Sequence, residues 1–349
     1  MATLVDIAPA PPALEATVRA ALDRVVATID HALESPRPEV QTLANHALRY
    51  RGKMFRPALA IVAASAALPD FDEHHPRFDE VAHAAAVIEI IHLATLIHDD
   101  VLDLAEARRG QPSVNALTSN ETAIILGDYL FAKSFHLCSK LPVRHHQGLH
   151  TATRVGEITA KVCTGELTQL TNRHNTNLSP DTYFTIIQEK TGELIAAACE
   201  LGARHAGADE NTTNALATFG LRVGTAFQIR DDLLDLTGQT NTVGKPLGRD
   251  IQLGKLTLPL IHHLAAANGH ASTLRDALQN PRDLKGPLAG DDARARLAEQ
   301  LEQTGSIQHA THAAQHNITL AKQALTALHP SHARDYLDQL ADAAIERPA

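Results

Sequence analysis

Residues 78–102 read FDEVAHAAAVIEIIHLATLIHDDVL. Apolar side chains run almost all the way round a helix of this length, which predicts an element deep inside a helical bundle rather than one on its surface. The run then ends in charge: Asp99, Asp100 and Asp103, with Arg108 and Arg109 just beyond. Carboxylates four apart share a helix face, and like charges at that spacing destabilise the helix. The pattern calls for a compensating charge from outside the chain.

The flanking segments carry the same helical rhythm. LEATVRAALDRVVATIDHALE repeats apolar residues at three- and four-residue steps, and NETAIILGDYLFAKSFHLCSKL, TRVGEITAKVCTGELTQL, PDTYFTIIQEKTGELIAAACELGARHAG and TTNALATFGLRVGTAFQIRDDLLDLTG follow it. No segment shows the turn-bounded alternation of a strand. Loops are marked by LPDFDEHHPRF, NRHNTNLSP and GQTNTVGKPLGRD. The expected fold is all-α, a single large bundle over residues 13–349, with residues 1–12 a loose, Pro-rich end.

Of the 349 residues, 44% are hydrophobic and 20% charged, enough for a substantial core, and the net charge of -9 gives no reason to expect nucleic-acid binding. Cys138, Cys163 and Cys199 show neither paired nor metal-ligand spacing, as expected in a reducing cytoplasm. The N-terminus lacks a basic region followed by an apolar core, and apolar runs are interrupted by His, Glu or Asp before membrane-spanning length, so a cytoplasmic protein without a transmembrane segment is expected. The 21 histidines are scattered, and their HH pairs lack zinc-type partners.

A second acidic cluster repeats the first. FQIRDDLLDLTG places Asp231, Asp232 and Asp235 at the end of another apolar helix. Carboxylates buried without partners would take up protons, and magnesium, a hard cation that accepts carboxylate and phosphate oxygens together, is the natural partner. Two such clusters could grip a polyphosphate through bridging metals. Further cations suit the remaining phosphate charge: Lys53 and Arg56 in RGKMFRP, Arg108 and Arg109, Lys190 in QEKTGEL, and Lys245 and Lys255 in VGKPLGRDIQLGKLTLP. GRDIQLGKL is not a phosphate-binding P-loop. Its first glycine is one residue too far from GK, Leu256 stands where Ser or Thr should be, and the segment before it is helical.

Taken in order, GKMFRP, HLATLIHDDVLDLAEARRGQPSVN, EKTGEL, FQIRDDLLDLTG and GKPLGRDIQLGKLTLPLI resemble the trans-isoprenyl (polyprenyl) diphosphate synthases over nearly the whole chain. That resemblance implies an all-α bundle of the isoprenoid synthase type, usually homodimeric, that condenses isopentenyl diphosphate with an allylic diphosphate. It implies isopentenyl diphosphate on Lys53, Arg56, His92 and Arg109. Three magnesium ions per site are implied, held by Asp99 and Asp103 with Asp100 in support, and by Asp231 with Asp232 and Asp235 nearby. The allylic diphosphate would meet Arg108, Lys190, Thr191, Gln228, Lys245 and Lys255, of which Lys190, Gln228 and Lys245 would act on the leaving group. RGK replaces the common double-glycine start, and Gly192 follows KT where Ala is usual; neither change removes a ligand. His98 is read as a packing or hydrogen-bonding residue rather than a base.

The helix before the first cluster bears on product length. Thr95, His92 and Ile88 fall on or near the face of Asp99 and Asp103. In the family, bulky aromatics four and five residues before the first aspartate stop the chain at fifteen carbons. Here those positions are Thr95 and Ala94, both small, so a longer product is expected. A terpene cyclase would also use an Asp-rich helix, but such enzymes steady cations with aromatic faces, and this chain has no Trp and 3% aromatics. A non-catalytic partner subunit usually lacks one acidic cluster, and both are present here.

Overall fold

The structure, a computed structural model, describes residues 9–141, 147–237, 248–266, 274–275, 278 and 291–346. The chain runs as α1 (Pro12–Ala32), α2 (Pro38–Leu48), α3 (Phe55–Ala67), α4 (Phe78–Leu102), a hairpin of β1 (Ala107–Arg108) and β2 (Gln111–Pro112), then α5 (Val114–Leu117), α6 (Asn120–Ser139), α7 (Gln147–Thr171) and α8 (Pro180–Ile187). A π-helical turn, Gln188–Gly192, leads into α9 (Glu193–Ala206), followed by α10 (Glu210–Thr237), α11 (Arg249–Gln252), α12 (Leu258–Ala266), α13 (Asp291–Gln303), α14 (Ser306–Leu325) and α15 (His332–Ala343). The all-α expectation holds. Residues 1–8 of the expected loose end lie outside the described residues, and helix begins at Pro12, where a missing N–H costs nothing.

The hairpin departs from the sequence reading, which expects no strand. Arg109 and Gly110 both take positive φ, 53° and 74°. Two such residues in succession make the turn that lets Ala107 pair with Pro112 and Arg108 with Gln111. Two-residue strands are too short to show alternation, so periodicity could not reveal them.

Contacts group the chain into two compact units. The first comprises Met1–Thr159, Leu194–Gly220 and Gln323–Leu340. Its centre is α4, packed against α1, α3 and α6. By length and composition α4 could cross a membrane, but most of it is buried inside the protein, as suits a core helix. Small residues let neighbours approach closely: a Cβ added at Gly202 of α9 would overlap the backbone of Ala60 in α3. Ser119 caps α6 by accepting the Thr122 N–H.

The second unit comprises Ala160–Glu193, Leu221–Lys322 and Ala341–Ala349. Its core gathers Tyr183, Ile187, Ile229, Leu233, Leu258 and Leu301, among others. Ser179 caps α8 by accepting the Thr182 N–H at 3.1 Å, and Pro180 occupies the first turn.

Candidate active site

In the first unit α4 ends within the first acidic segment. Asp103 is its C-cap and donates its backbone N–H to the Asp99 carbonyl at 2.8 Å. Asp99 and Asp103, one turn apart, are both half-buried. Asp100 points elsewhere, being only 1% exposed. Its Oδ1 accepts from Arg108 Nε at 2.8 Å and Nη2 at 2.6 Å. Tyr50 closes this cluster: its hydroxyl accepts the Val114 N–H at 2.8 Å, and the Arg108 guanidinium lies 5.9 Å from its ring centroid. Burial and the Asp100 charge push the Tyr50 phenol up to about 12. Arg108 and Asp100, which the sequence assigns to different ligands, thus pair with each other through Oδ1, while Asp100 Oδ2 is buried without a hydrogen-bond partner.

Arg56, His92 and Arg109 gather within the same unit. Burial pushes the His92 imidazole well below its ordinary value, and Arg56, Arg109 and Arg108 push in the same direction. His92 is therefore neutral at pH 7, with one N–H to donate. Burial lowers the Arg56 guanidinium; Glu89 works against that shift and Arg109 adds to it. The Arg109 side chain crosses the loop that carries Lys53: a Cβ added at Gly52 would overlap its guanidinium. Lys53 itself is exposed. Met54, Leu104 and Arg109 hold positive φ, backbone strain that flanks the candidate residues. His98 Nε2 donates a hydrogen bond to the Ile124 carbonyl, 3.0 Å away, and its ring lies 5.8 Å from that of Phe131.

Of the chain-length positions, Ala94 and Ile88 are fully buried. Thr95 is half-buried, and its hydroxyl donates to the His92 carbonyl at 2.8 Å.

The second unit assembles a cleft lined by Lys190, Thr191, Gln228, Asp232, Asp250 and Lys255, among others. Lys190 and Thr191 sit on the π-helical turn, whose extra residue per turn re-aims side chains within an otherwise α-helical run. Lys190 donates to Gln169 Oε1 at 2.8 Å and pairs with Glu166. The Thr191 hydroxyl donates to Gln228 Oε1 at 2.8 Å, and Gln228 Nε2 donates to Asp232 Oδ1 at 2.8 Å. The Tyr183 hydroxyl donates to Asp232 Oδ2 at 2.6 Å. Asp232 is buried, and burial, the Asp250 charge and, to a smaller degree, Asp231 hold its carboxyl well above the ordinary range. Asp235 is engaged differently. Its two oxygens accept the backbone N–H groups of Arg249 and Asp250, both at 3.2 Å, anchoring the start of α11. Asp231 is half-buried. Lys245 lies outside the described residues.

The sequence reading missed Tyr183, Asp250 and Glu89. Tyr183 had a faint signal, being one of only 4 tyrosines in an aromatic-poor chain. Asp250 is masked by the basic segment VGKPLGRDIQLGKLTLP around it, and Glu89 is hidden in the apolar run.

The chain matches the Polyprenyl synthetase family over residues 37–287. It is 38% identical over 238 residues to a heptaprenyl diphosphate synthase component 2 from Geobacillus stearothermophilus, covering 68% of this chain and 70% of that one. It is 36% identical over 283 residues to a nonaprenyl diphosphate synthase from Mycobacterium tuberculosis, covering 81% and 79%. A polyprenyl synthase from Caulobacter crescentus, crystallised with calcium and isoprenyl diphosphate, superposes with a TM-score of 0.83 at 32% identity, over 96% of this chain and 98% of that one.

Proposed function

The chain belongs to the polyprenyl synthetase family of prenyltransferases, and from that premise we propose that it joins isopentenyl diphosphate head-to-tail to an allylic diphosphate, using magnesium, and extends the product beyond fifteen carbons. One observation carries the reading. In both acidic segments the outer aspartates are half-buried, while the middle one is buried and fixed by side chains of its own unit.

Magnesium fits these donors. Asp99, Asp103 and Asp231 offer hard oxygen ligands, and the crowding of Asp231 and Asp250 around Asp232 is the repulsion a divalent cation relieves. Among the described residues no three His, Cys, Asp or Glu side chains form a ready-made cage. Magnesium does not need one, since it keeps waters and takes phosphate oxygens as ligands. Three ions per site, when bound, supply positive charge to the departing pyrophosphate.

In this reading Arg56, Arg109 and the N–H of neutral His92 hold isopentenyl diphosphate, with Lys53 at the entrance. Lys190, Thr191, Gln228 and Lys255, with Lys245, hold the allylic diphosphate and stabilise charge that develops as the carbon–oxygen bond breaks. The isopentenyl double bond attacks the allylic cation, and the released pyrophosphate accepts the proton that is lost, so no protein base is required. Arg108 acts by fixing Asp100 beside Asp99.

The product-length reading rests on one helix face. Asp103, Asp99, Thr95 and His92 follow one another at helical spacing and are half-buried, and Ile88 continues the line into full burial. A bulky residue at Thr95 should shorten the product. Ala94→Phe should do the same, but it also inserts a ring at a fully buried position.

The test is to incubate the purified chain with geranyl, farnesyl or geranylgeranyl diphosphate and labelled isopentenyl diphosphate, with and without magnesium. Magnesium-dependent products longer than farnesyl are expected from a homodimer acting alone. A chain that stops at farnesyl refutes the length reading. Activity only after adding a second protein would instead favour a two-component enzyme, as the name of the Geobacillus relative suggests for that protein.

A further inference from the structure

Glu89 sits mid-way along α4, and the chemistry above makes no use of it. It is 3% exposed, in a helix whose neighbouring positions are apolar. A carboxylate so placed would be forced to protonate unless cations came to it. Burial raises its carboxyl above the ordinary value, and three cations work against that shift: Arg56 from α3, Arg109 from the hairpin and Arg51 from the loop before α3. Arg51 is already committed to Asp30, at 2.7 Å. His92 follows Glu89 by three residues and shares its side of the helix. Within this cluster Glu89 Oε2, an acceptor, and Arg56 Nε, a donor, are both buried without a hydrogen-bond partner. Their chemistries are complementary.

We propose that Glu89 is a positioning residue for the isopentenyl diphosphate site, its charge drawing Arg56 and Arg109 toward α4 so that their guanidinium groups face the incoming diphosphate. The inference rests on the prenyltransferase reading of that arginine pair and deepens it. Arginines crowded round a neutral histidine repel one another, and burial disfavours the Arg56 charge further. Without a counter-charge at their base, long flexible side chains would turn outward to water. One carboxylate placed behind the arginines holds them in place and still leaves the pocket net positive.

Glu89→Gln keeps the shape and removes the charge. In the full chain it should raise KM for isopentenyl diphosphate roughly tenfold, the scale expected when one nearby counter-charge is lost. KM for the allylic diphosphate and kcat should stay within about twofold. Glu89→Asp, which restores the charge on a shorter arm, should recover part of the loss. A merely structural role would instead shift both KM values and kcat together with the melting temperature, and that result overturns the proposal, as does an unchanged KM for isopentenyl diphosphate. If Glu89→Gln does not fold, Glu89→Asp decides: a smaller rise confined to KM for isopentenyl diphosphate supports the proposal, and no rise overturns it. If the wild-type chain shows no condensation, the prenyltransferase reading of the site fails separately. Calorimetric binding of inorganic pyrophosphate, with Arg56→Gln as reference, then still decides Glu89: weaker binding in Glu89→Gln supports the positioning role, and equal binding overturns it.

Discussion

In the first acidic segment the middle aspartate, Asp100, meets a guanidinium; in the second, Asp232 meets a phenol and a carboxamide. The five-residue pattern and the order of burial are the same, yet one carboxylate is neutralised by a full charge, while the other, among the described residues, meets neutral donors. The difference follows from what each helix end has nearby. After α4 the chain turns sharply through Arg109 and Gly110, which brings Arg108 back beside Asp100. After α10 the next described segment is the start of α11, whose backbone N–H groups go to Asp235. Asp232 is left with Tyr183 and Gln228, and with Asp250 as a like-charged neighbour. A copied motif therefore does not carry its own charge balance; the segments packed around it supply that.

The largest expected effect comes from the outer aspartates that both copies share. Asp99→Asn with Asp103→Asn should lower the condensation rate by roughly a thousandfold, as expected when stabilisation of a leaving group's charge is lost. Labelled isopentenyl incorporation measures it, and a loss below tenfold would mean that the first segment is not the metal side. Next comes the ion pair. Arg108→Met leaves Asp100 buried and uncompensated and should cost about 3 kcal/mol in urea unfolding. Tyr183→Phe, which removes a neutral donor from Asp232, should cost only about 1 kcal/mol. Equal losses would erase the distinction between the two copies.

Acidity separates the copies in a further way. Folding raises the Asp232 carboxyl above its ordinary value, chiefly by burial and then by the Asp250 charge. The folded state therefore binds this proton more tightly than the unfolded state does. The resulting stabilisation is full at acid pH, declines from about pH 4 upward, and is lost as pH passes the raised value. With a chelator present, the melting temperature of the wild type should fall over that range relative to Asp232→Asn. Parallel profiles would refute the assignment. The smallest effect is expected at Gly52, where Gly52→Ala pushes aside the flexible end of Arg109 and should raise KM for isopentenyl diphosphate only a few-fold.

Much of this was legible in the sequence because local patterns carry it. The all-round apolar character of residues 78–102 marked the core helix, and the two aspartate triplets marked the helix ends where charge collects. Arg56, Arg109, Lys190 and Lys255 were readable as cations suited to a diphosphate, whereas His92, Thr191 and Gln228 entered only through the resemblance to the family. Glu89 was not readable, because a single carboxylate in an apolar run has no periodic signal. Tyr183 lies 49 residues from the aspartate it contacts, and no spacing links them.

The sequence by itself determined that the chain is helical, where its carboxylates cluster and how its half-buried face runs along α4, since these follow from side-chain order at a fixed 3.6-residue period. Only the tertiary structure decided which aspartate of each triplet turns inward, which partner neutralises it, and that a two-residue hairpin returns Arg108 to Asp100. Those outcomes depend on groups far apart in the chain meeting in a low-dielectric interior, where the identity of the nearest donor, rather than the local pattern, sets the charge.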